Sequence, residues 1–370
     1  MLDYLRYYFN IIVVLAGVAG YMLGGQWVWI GFLGVLVFLL VADYITEEDE
    51  AERKIKNPWI ADFALYLHFP LMILLFGSFA WRIQQGFSEP TAFMTVLAYA
   101  GCIFSAAFLG NAPNLPIAHE LFHRRHWFPR YLGTTLNVYF GDPVKDIQHV
   151  YNHHIHVGTL KDPDTPRRGE SVYKFIFRAT WHSYKESYKI EKERQRKKGR
   201  SVWSWRSRIT QMFVLFALLI GSFYYVSGWL GALLVTIHLV VAKLLAEVFN
   251  YTQHYGLIRA EGTPFHPRHT WEQRTFFSRV FGVEITTHAH HHIDSYAPFY
   301  ELKPSTIDNK MPSLVICFLI ALVPPLWFRF VQQKLKKMDL LYATPEEKIL
   351  AREANKRAGW PDWFDETRVS

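Results

Sequence analysis

Six long apolar segments divide the chain, and polar segments rich in charge separate them. A helix needs roughly 20 apolar residues to cross the hydrocarbon core of a bilayer. The first two segments are short for this, but Gly24-Gly25-Gln26 between them is typical of a turn and predicts a helical hairpin. The sequence therefore predicts an all-α integral membrane protein with about six transmembrane helices, at residues 8–23, 27–41, 60–83, 91–109, 209–226 and 230–249.

A further apolar segment, residues 314–330, contains Pro324-Pro325 and is shorter than a comfortable span. Because proline interrupts a helix, we expect an interfacial or re-entrant helix here, with a seventh span as the alternative. Residues 1–333 are predicted to form a single transmembrane domain. Residues 334–370 are charged and are predicted to be a cytoplasmic tail.

The composition agrees with a membrane protein. Hydrophobic residues make up 51% of the chain and charged residues 19%, and the formal net charge is +8. This charge could indicate a nucleic-acid partner, but the Lys and Arg residues lie in loops beside the apolar segments, as in the cytoplasmic loops of membrane proteins. We therefore expect a membrane partner and no nucleic acid. No cleavage site follows the first apolar segment, so no removable signal peptide is expected.

Counting the spans from a cytoplasmic N-terminus places residues 43–57, residues 111–208 and everything after residue 250 on one side. Every histidine cluster falls on that side, which predicts a cytoplasmic helical cap that holds a histidine-rich site. The two cysteines, Cys102 and Cys317, lie far apart in apolar segments. Neither a disulfide framework nor an iron–sulfur site is therefore expected.

Two histidine clusters have the spacing of one helical turn. Residues i and i+4 lie on one helix face, so His119 and His123 could chelate a single metal, and so could His149 and His153. His154 points roughly 100° away from that face and could serve a neighbouring metal. The remaining candidates are His288, His291 and His292, which share a helix face, and His254, which follows the sixth span.

The number of histidines separates two interpretations. His-Glu-x-x-His at 119–123 is also the signature of zinc proteases in which the glutamate is the general base. Such an enzyme needs about three protein ligands and one open position. Eight or nine histidines on one side of the membrane fit two metals better. Nitrogen ligands suit iron, copper, nickel or zinc, and ligand type alone does not choose among them.

Metal-bound histidines usually donate their second ring nitrogen to a carboxylate or a carbonyl. The candidate acceptors near the clusters are Glu120, Asp146, Glu247 and Asp294. For Glu247 the alternative is an ion pair with Lys243, four residues earlier. His156 and His290 are expected to lie outside the ligand set.

The spaced motifs together resemble a known family. The boxes at 119–123, 149–154 and 288–292 and Asn-Tyr-Thr-Gln-His-Tyr-Gly at 250–256 are similar to those of the integral-membrane alkane hydroxylases, which are relatives of the membrane fatty acid desaturases. Further elements resemble the hydroxylase components of xylene monooxygenases and their p-cymene-oxidising relatives. These elements are Gly-Asp-Pro at 141–143, Glu-Ile-Thr at 284–286, His-His-Ile-Asp at 291–294 and Tyr-Ala-Thr-Pro at 342–345.

The resemblance implies a non-haem diiron centre with histidine ligands and no separate protein acid or base. The implied ligands are His119, His123, His149, His153, His154, His254, His288, His291 and His292. His269, in Pro-Arg-His-Thr-Trp at 267–271, lies where alkane hydroxylases have a similar His-x-Trp, which implies a supporting role beside the ligands. Which histidines bind which iron stays open.

The resemblance also implies the activity. The enzyme would use O₂ to hydroxylate a methyl C–H bond of toluene, xylene or p-cymene taken from the bilayer, at the cytoplasmic side of a bacterial inner membrane. Electrons would come from NADH through a separate reductase that carries flavin and an iron–sulfur centre. The alternatives are an alkane 1-monooxygenase, for which rubredoxin would be the donor, a lipid desaturase and, more distantly, a membrane zinc metalloprotease. Phe249, Phe108, Phe104 and Phe69 are candidates to line a substrate channel, although packing is the commoner role of such residues.

Overall fold

Helices make up nearly all of the regular structure in the computed structural model, which describes residues 2–365. The last five residues of the predicted tail, 366–370, lie outside the described residues. The α-helices are α1 (Leu2–Leu5), α2 (Phe9–Leu23), α3 (Val35–Ile45), α4 (Pro58–Gln85), α5 (Ala92–Asn111), α6 (Asn114–His123), α7 (Trp127–Leu136), α8 (Lys145–Gln148), α9 (His154–His156), α10 (Val172–Arg196), α11 (Arg208–His254), α12 (Phe276–Phe281), α13 (His288–Ile293), α14 (Leu314–Ala321), α15 (Pro324–Tyr342) and α16 (Pro345–Ala358). The shorter helices are 3-10 helices at Arg6–Tyr8, Gly25–Trp29, Asn137–Phe140, Pro267–His269 and Phe299–Glu301, and π-helices at Ile30–Gly34 and His149–His153.

Long apolar helices form the body of the molecule. Within residues 2–365, five helices are long and apolar enough to cross a membrane, and they cover all six predicted spans except for residue 91. They are Asp3–Leu23, Gly25–Ile45, Pro58–Gln85, Ala92–His123 and Arg208–His254. The predicted all-α membrane fold is therefore confirmed, whereas the number of crossings and the side of the membrane stay predictions.

Helix α11 contains two of the predicted spans because the chain reverses inside it. Gly228 has φ 63° and ψ −157°, a conformation that favours glycine. A Cβ built on Gly231 would lie 2.6 Å from the carbonyl oxygen of Phe223, eight residues earlier. In a straight helix, eight residues rise about 12 Å. The two halves of α11 therefore run back along each other, as the predicted break at Ser227-Gly228 requires.

The polar segments meet at one end of the helical bundle. Glu48 forms an isolated β-bridge with Thr275, and Arg53 Nε donates to Glu284 Oε1 at 3.0 Å. After α6, Arg124 Nη2 donates to Asp62 Oδ1 at 2.7 Å, close to the start of α4. The first two contacts join residues 43–57 to the segment after α11, and the third joins the segment after α6 to the start of α4. All three segments are ones that the sequence places on one side.

The region after α11 differs from the predicted single helix at 314–330. A short parallel sheet of β1 (Glu272–Gln273) and β2 (Lys310–Met311) precedes it. α14 then ends at Ala321 and α15 starts at Pro324, because proline is compatible with the first turn of a helix but not with its interior. α15 continues through the predicted domain boundary at residue 333. Buried Arg168 donates to both carboxylate oxygens of Asp339 at 2.8 Å, so this part of the tail packs on the body.

Helix α5 lies very close to the 3-10 helix that follows α7. A Cβ added at Gly110 would lie 2.4 Å from the carbonyl oxygen of Tyr139, a backbone atom that no side-chain rotation can move. The neighbouring Asn111 is fully buried, and its Nδ2 donates to the carbonyls of Ala107 and Ala242 at 2.8 Å. Glycine at position 110 therefore sets the distance between α5 and the segment that leads to the histidines at 149–154.

We expect Gly110→Ala to lower the free energy of unfolding by about 1–3 kcal/mol, the usual cost of overfilling a packed site. The measurement is the thermal unfolding midpoint of the purified protein in detergent. Gly77→Ala in α4 is the control, because a Cβ there meets no atom within 4 Å. Alanine favours a helix over glycine by about 1 kcal/mol, so this variant should keep or raise the midpoint. Equal losses in the two variants would contradict the close approach at Gly110.

Candidate metal centre

Helix α6 carries the first two histidines into the protein interior. Every residue from Pro116 to His123 is buried, so the helix is enclosed on all sides. His119 and His123 are one turn apart, and their ring centroids are 4.7 Å apart. The predicted i, i+4 arrangement is therefore present at this cluster.

The second cluster lies in a π-helix, His149–His153, and not in an α-helix. Because π-helical hydrogen bonds join residues five apart, each turn holds an additional residue. His149 and His154 consequently face the same way, with 3.0 Å between their Nε2 atoms. His153 joins the other set of histidines. The structure thus groups His149 with His154, and not with His153, which the i, i+4 spacing alone had made the candidate partner.

A strained turn positions the third cluster, on α13. Val283 and Glu284 have φ of 49° and 60°, a left-handed conformation that is unfavourable for a β-branched residue. The buried carboxylate of Glu284 accepts from Arg279 Nε at 2.6 Å and from Arg53 Nε at 3.0 Å. These ion pairs hold the turn that leads into His288, so the conformation is fixed by its surroundings.

The histidines on one face of α13 belong to two different sets. His288 Nε2 and His292 Nε2 are 3.1 Å apart, whereas His291 Nε2 lies 3.1 Å from His154 Nε2. His254, the last residue of α11, brings its Nε2 to 3.1 Å from that of His288. The three histidines of α13 share a face, as predicted, but His291 belongs to one group and His288 and His292 belong to the other.

All nine histidines predicted as ligands converge into two adjacent groups. Each ring contributes one nitrogen atom as a possible ligand, and within each group these nitrogen atoms lie within 4.8 Å of one another. The rings of His154 and His292, one from each group, have centroids 4.6 Å apart. The five-histidine group comprises His119, His123, His149, His154 and His291, and the four-histidine group comprises His153, His254, His288 and His292.

The spacing in each group fits one metal ion. Neighbouring Nε2 atoms are 2.6 to 3.1 Å apart. Two nitrogens bound to one metal at about 2.1 Å and at right angles to each other lie about 3.0 Å apart. His123 adds a buried Nε2 without a hydrogen-bond partner among the described residues. The donor set and its geometry therefore suit two transition-metal ions.

Two hydrogen bonds fix the tautomers of histidines in the four-histidine group. His254 Nδ1 donates to the backbone carbonyl of His269 at 3.0 Å, and a carbonyl can only accept. His153 Nδ1 lies 2.8 Å from Asp162 Oδ2. Both rings therefore carry the proton on Nδ1 and leave the Nε2 lone pair for a metal, the usual arrangement of a metal-binding histidine.

Burial also keeps the rings uncharged. Burial, followed by the nearby histidines, holds the pKa of His149, His154 and His291 well below its ordinary value. The same causes lower the pKa of His288 to about 3. Neutral imidazole is the form that binds metals, so these rings need not lose a proton first.

Glu120 and Asp146 do not have the predicted contacts with histidines among the described residues. Glu120 forms an ion pair with Arg124, with 2.8 Å between Glu120 Oε1 and Arg124 Nε. Asp146 pairs with Arg208 at 3.4 Å. Both carboxylates are thus used by arginines, which compete for them as charged donors.

Glu247 and Asp294 also have other partners. Glu247 forms the alternative ion pair with Lys243, which in turn lies 2.6 Å from Asp142. Asp294 Oδ1 accepts from the backbone N–H of Tyr296 at 3.0 Å. Of the five residues predicted to support the ligands, His269 alone contacts a ligand candidate in the described structure, through its carbonyl.

The acceptor that the sequence did not reveal is Asp162. It lies nine residues beyond His153, in Lys-Asp-Pro-Asp-Thr, and reaches back through a turn. No helical spacing relates the two residues, so only an Asp-Pro-Asp element close to a histidine cluster could have suggested it. His290, predicted to lie outside the ligand set, is in neither group, and its Nδ1 accepts from the backbone N–H of Lys303 at 3.1 Å. His156 is also in neither group.

A mainly apolar cavity touches both groups. Its walls include Leu115, Ala246, Phe249, Ile285 and Leu314, together with His119, His149, His153 and His288. The ring of Phe249 stacks on Phe318 with centroids 5.0 Å apart, which holds it in place. Of the four phenylalanines that are candidates to line a channel, Phe249 lines this cavity. Phe104 instead stacks on Trp29, and Phe108 packs against Phe32.

Comparison with known proteins agrees with this geometry. The family model described as fatty acid desaturase matches residues 94–331. The chain is 43% identical over 368 residues to the xylene/toluene monooxygenase hydroxylase component XylM of Pseudomonas putida, an alignment that covers 98% of each chain. It is 29% identical over 268 residues to alkane 1-monooxygenase 1 of Pseudomonas aeruginosa, covering 71% of this chain and 69% of the relative. It is 26% identical over 310 residues to the alkane 1-monooxygenase of Ectopseudomonas oleovorans, covering 82% and 75%.

The family match covers more than half of the chain, and the similarity to XylM extends over nearly all of it. The apolar helices and the two histidine groups are the features that such an enzyme requires. The resemblance inferred from the histidine boxes is therefore confirmed. The chain belongs to the fatty acid desaturase family, in the group of membrane monooxygenases that includes the xylene/toluene hydroxylase component.

Proposed function

We propose that the protein uses O₂ to hydroxylate a methyl C–H bond of an alkylbenzene, such as toluene, xylene or p-cymene, to the benzylic alcohol at a diiron centre. One observation carries the proposal. Nine histidines converge beside an apolar cavity in a chain that is 43% identical to a xylene/toluene hydroxylase component. The hydrocarbon substrate class comes from that relative, and the apolar walls of the cavity are compatible with it.

The five-histidine group and the four-histidine group would each hold one iron ion. A diiron centre supplies the reduction of dioxygen that an unactivated C–H bond requires. Overall, one O₂, two electrons and two protons would convert the hydrocarbon into its alcohol and one water. The protein's part is to hold both ions through neutral Nε2 atoms and to place the methyl group beside them.

The lining of the cavity is chemically compatible with an apolar ring. Aliphatic and aromatic side chains form much of it, and Lys145, a charged side chain among the residues that line it, has its ammonium 3.2 Å from Asp164. An apolar molecule dissolved in the bilayer would enter between the helices, whose outer faces carry many exposed hydrophobic side chains. Binding would then be driven by the removal of apolar surface from water or lipid.

Electrons would come from a separate protein, because the two cysteines of the chain are too few to hold an iron–sulfur centre. Cys102 and Cys317 are both buried and belong to neither histidine group. We propose an NADH-dependent reductase with flavin and an iron–sulfur centre as the donor. The centre would face the cytoplasm from a bacterial inner membrane, where NADH is available.

Three alternatives lead to different products or to a different metal. Terminal hydroxylation of alkanes is favoured by the relatives named alkane 1-monooxygenase, and lipid desaturation by the family itself. A zinc protease is disfavoured, because Glu120, which would be its general base, is held by Arg124 at 2.8 Å. Each group also has more nitrogens than the three ligands that a catalytic zinc needs.

The purified protein should contain about two irons per chain. Replacing His291 by Ala should remove the metal of the five-histidine group, and with it the activity, since this residue completes that group. Iron content by plasma emission spectroscopy is the measurement. His290→Ala in the same helix is the control and should keep both irons. Zinc in place of iron, or an unchanged iron content in the His291 variant, would contradict the assignment.

With reductase, NADH and O₂, the enzyme should convert p-xylene into 4-methylbenzyl alcohol faster than it converts octane into 1-octanol. Both products are measured by gas chromatography in one competition assay. No alcohol should form under argon, and label from ¹⁸O₂ should appear in the product. A preference for octane would favour the alkane 1-monooxygenase alternative.

We expect Asp162→Asn to lower the affinity of the four-histidine group for its metal by about 10- to 100-fold, the usual effect of losing a carboxylate that orients a ligand. Asparagine can present its NH₂ to His153 Nδ1, which then no longer has a firm acceptor for its proton. Titration of iron loss with a chelator measures the effect. Asp294→Asn, which alters a carboxylate bonded to the backbone of Tyr296, should leave the titration unchanged.

A further inference from the structure

The four-histidine group is supported from outside by the loop at residues 265–270. The carbonyl of His269 accepts the Nδ1 proton of His254 at 3.0 Å. The ring of Phe265 stacks on His292, with centroids 4.8 Å apart and planes 27° apart. Two of the four histidines therefore take their orientation from this one loop.

A carboxylate from the far end of the chain holds that loop. Glu347 Oε1 accepts from His269 Nε2 at 2.8 Å, and its Oε2 accepts from Arg268 Nε at 2.8 Å. The direction of the first bond is clear, because His269 Nδ1 accepts from the backbone N–H of His266 at 3.0 Å. His269 must therefore carry its proton on Nε2. The ring is fixed at both nitrogens, and its own backbone carbonyl is fixed with it.

Glu347 is itself held firmly. It lies in the first turn of α16, where its Oε2 accepts from the N–H of Thr344 at 2.9 Å and its own N–H donates to Thr344 Oγ1 at 3.2 Å. This capping box fixes the start of the helix. The side chain is only 2% exposed, whereas the neighbouring Glu346 is exposed. The segment after residue 333 is thus linked to the metal centre by hydrogen bonds that run from Glu347 to His269 and from His269 to His254.

We propose that Glu347 is a positioning residue for the diiron centre, which acts through His269 to hold His254 and so sets the metal affinity of the four-histidine group. The proposal rests on the proposed function, because it assumes that this group binds iron. It makes the C-terminal segment a part of the centre and not an appendage to it. Glu347 itself touches neither the substrate nor a metal.

The test is chelator extraction of iron from the full-length holoenzyme in detergent. In the wild-type protein we expect both irons to resist extraction. In Glu347→Gln, one of the two irons should be lost at a chelator concentration about 10- to 100-fold lower than in the wild type, because disturbing a residue that supports a ligand usually weakens metal binding by that factor. Mössbauer spectra of ⁵⁷Fe-loaded protein should show the change in one iron signal only. Glu347→Asp, which keeps the charge, should recover part of the resistance.

Three further variants separate positioning from folding. Glu346→Gln alters the same helix turn and should extract like the wild type. Thr344→Ala weakens the cap but leaves the bond from His269 to Glu347, so it should lower the unfolding midpoint without changing iron extraction. His269→Asn cuts the same bond from the other side, and combining it with Glu347→Gln should add little, because the two residues act through one interaction.

The outcomes distinguish the two proposals. If the wild type holds two irons and both Glu347→Gln and His269→Asn extract like it, the role of Glu347 is refuted and the diiron function stands. If Thr344→Ala loses iron as readily as Glu347→Gln, general loosening of α16 explains the effect and the positioning role is again refuted. If the wild type contains no iron, the proposed function itself is refuted.

Discussion

Nine imidazole rings, eight of them buried, whose ring nitrogens face one another are the constraint on which the structure depends. Neighbouring Nε2 atoms are only 2.6 to 3.1 Å apart. Lone pairs that face each other at this distance repel unless a proton or a cation lies between them, and burial removes the water that would weaken the repulsion. The rings cannot hold one another in this arrangement. Their positions have to be set by contacts on their outer sides, made by elements that come from nearly every part of the chain.

The clearest of these contacts is the turn at Val283-Glu284. Its left-handed backbone costs of order 1–3 kcal/mol per residue, and it persists because Glu284 is surrounded by Arg6, Arg53 and Arg279. Buried ion pairs contribute little net stability compared with apolar packing, but an unpaired buried charge is very costly, so the partners must stay together. The network therefore fixes where α13 begins. It also joins the N-terminal helix and residues 43–57 to the same point, which couples the membrane helices to the centre.

The sequence predicted which histidines meet, but not how they divide. Ligands for one site recur about one turn apart, so the clusters at 119–123, 149–154 and 288–292 were visible as spacing. The division depends on the π-helix at His149–His153, and nothing in the residue types distinguishes that turn from an α-helical one. The supporting carboxylates were mispredicted for a different reason. Glu120 has Arg124 four residues later, a stronger competitor than a histidine ring, whereas Asp162 and Glu347 reach the centre through turns and tertiary contacts that have no period.

The two groups differ in their number of histidines, and their supports differ in a matching way. In the five-histidine group, α6 and α13 supply three of the rings from buried helices, so the scaffold itself restricts them. The four-histidine group has one histidine fewer, and two of its members lie at the end of the π-helix and at the end of α11. Asp162 and the carbonyl of His269 hold these two members, His153 and His254. A group with fewer ligands keeps more of the metal's coordination positions free for reactants, and its remaining ligands then need firmer external support. The apolar cavity touches His153 and His288 of this group and also His119 and His149 of the other, so the support lies beside the space proposed for the hydrocarbon.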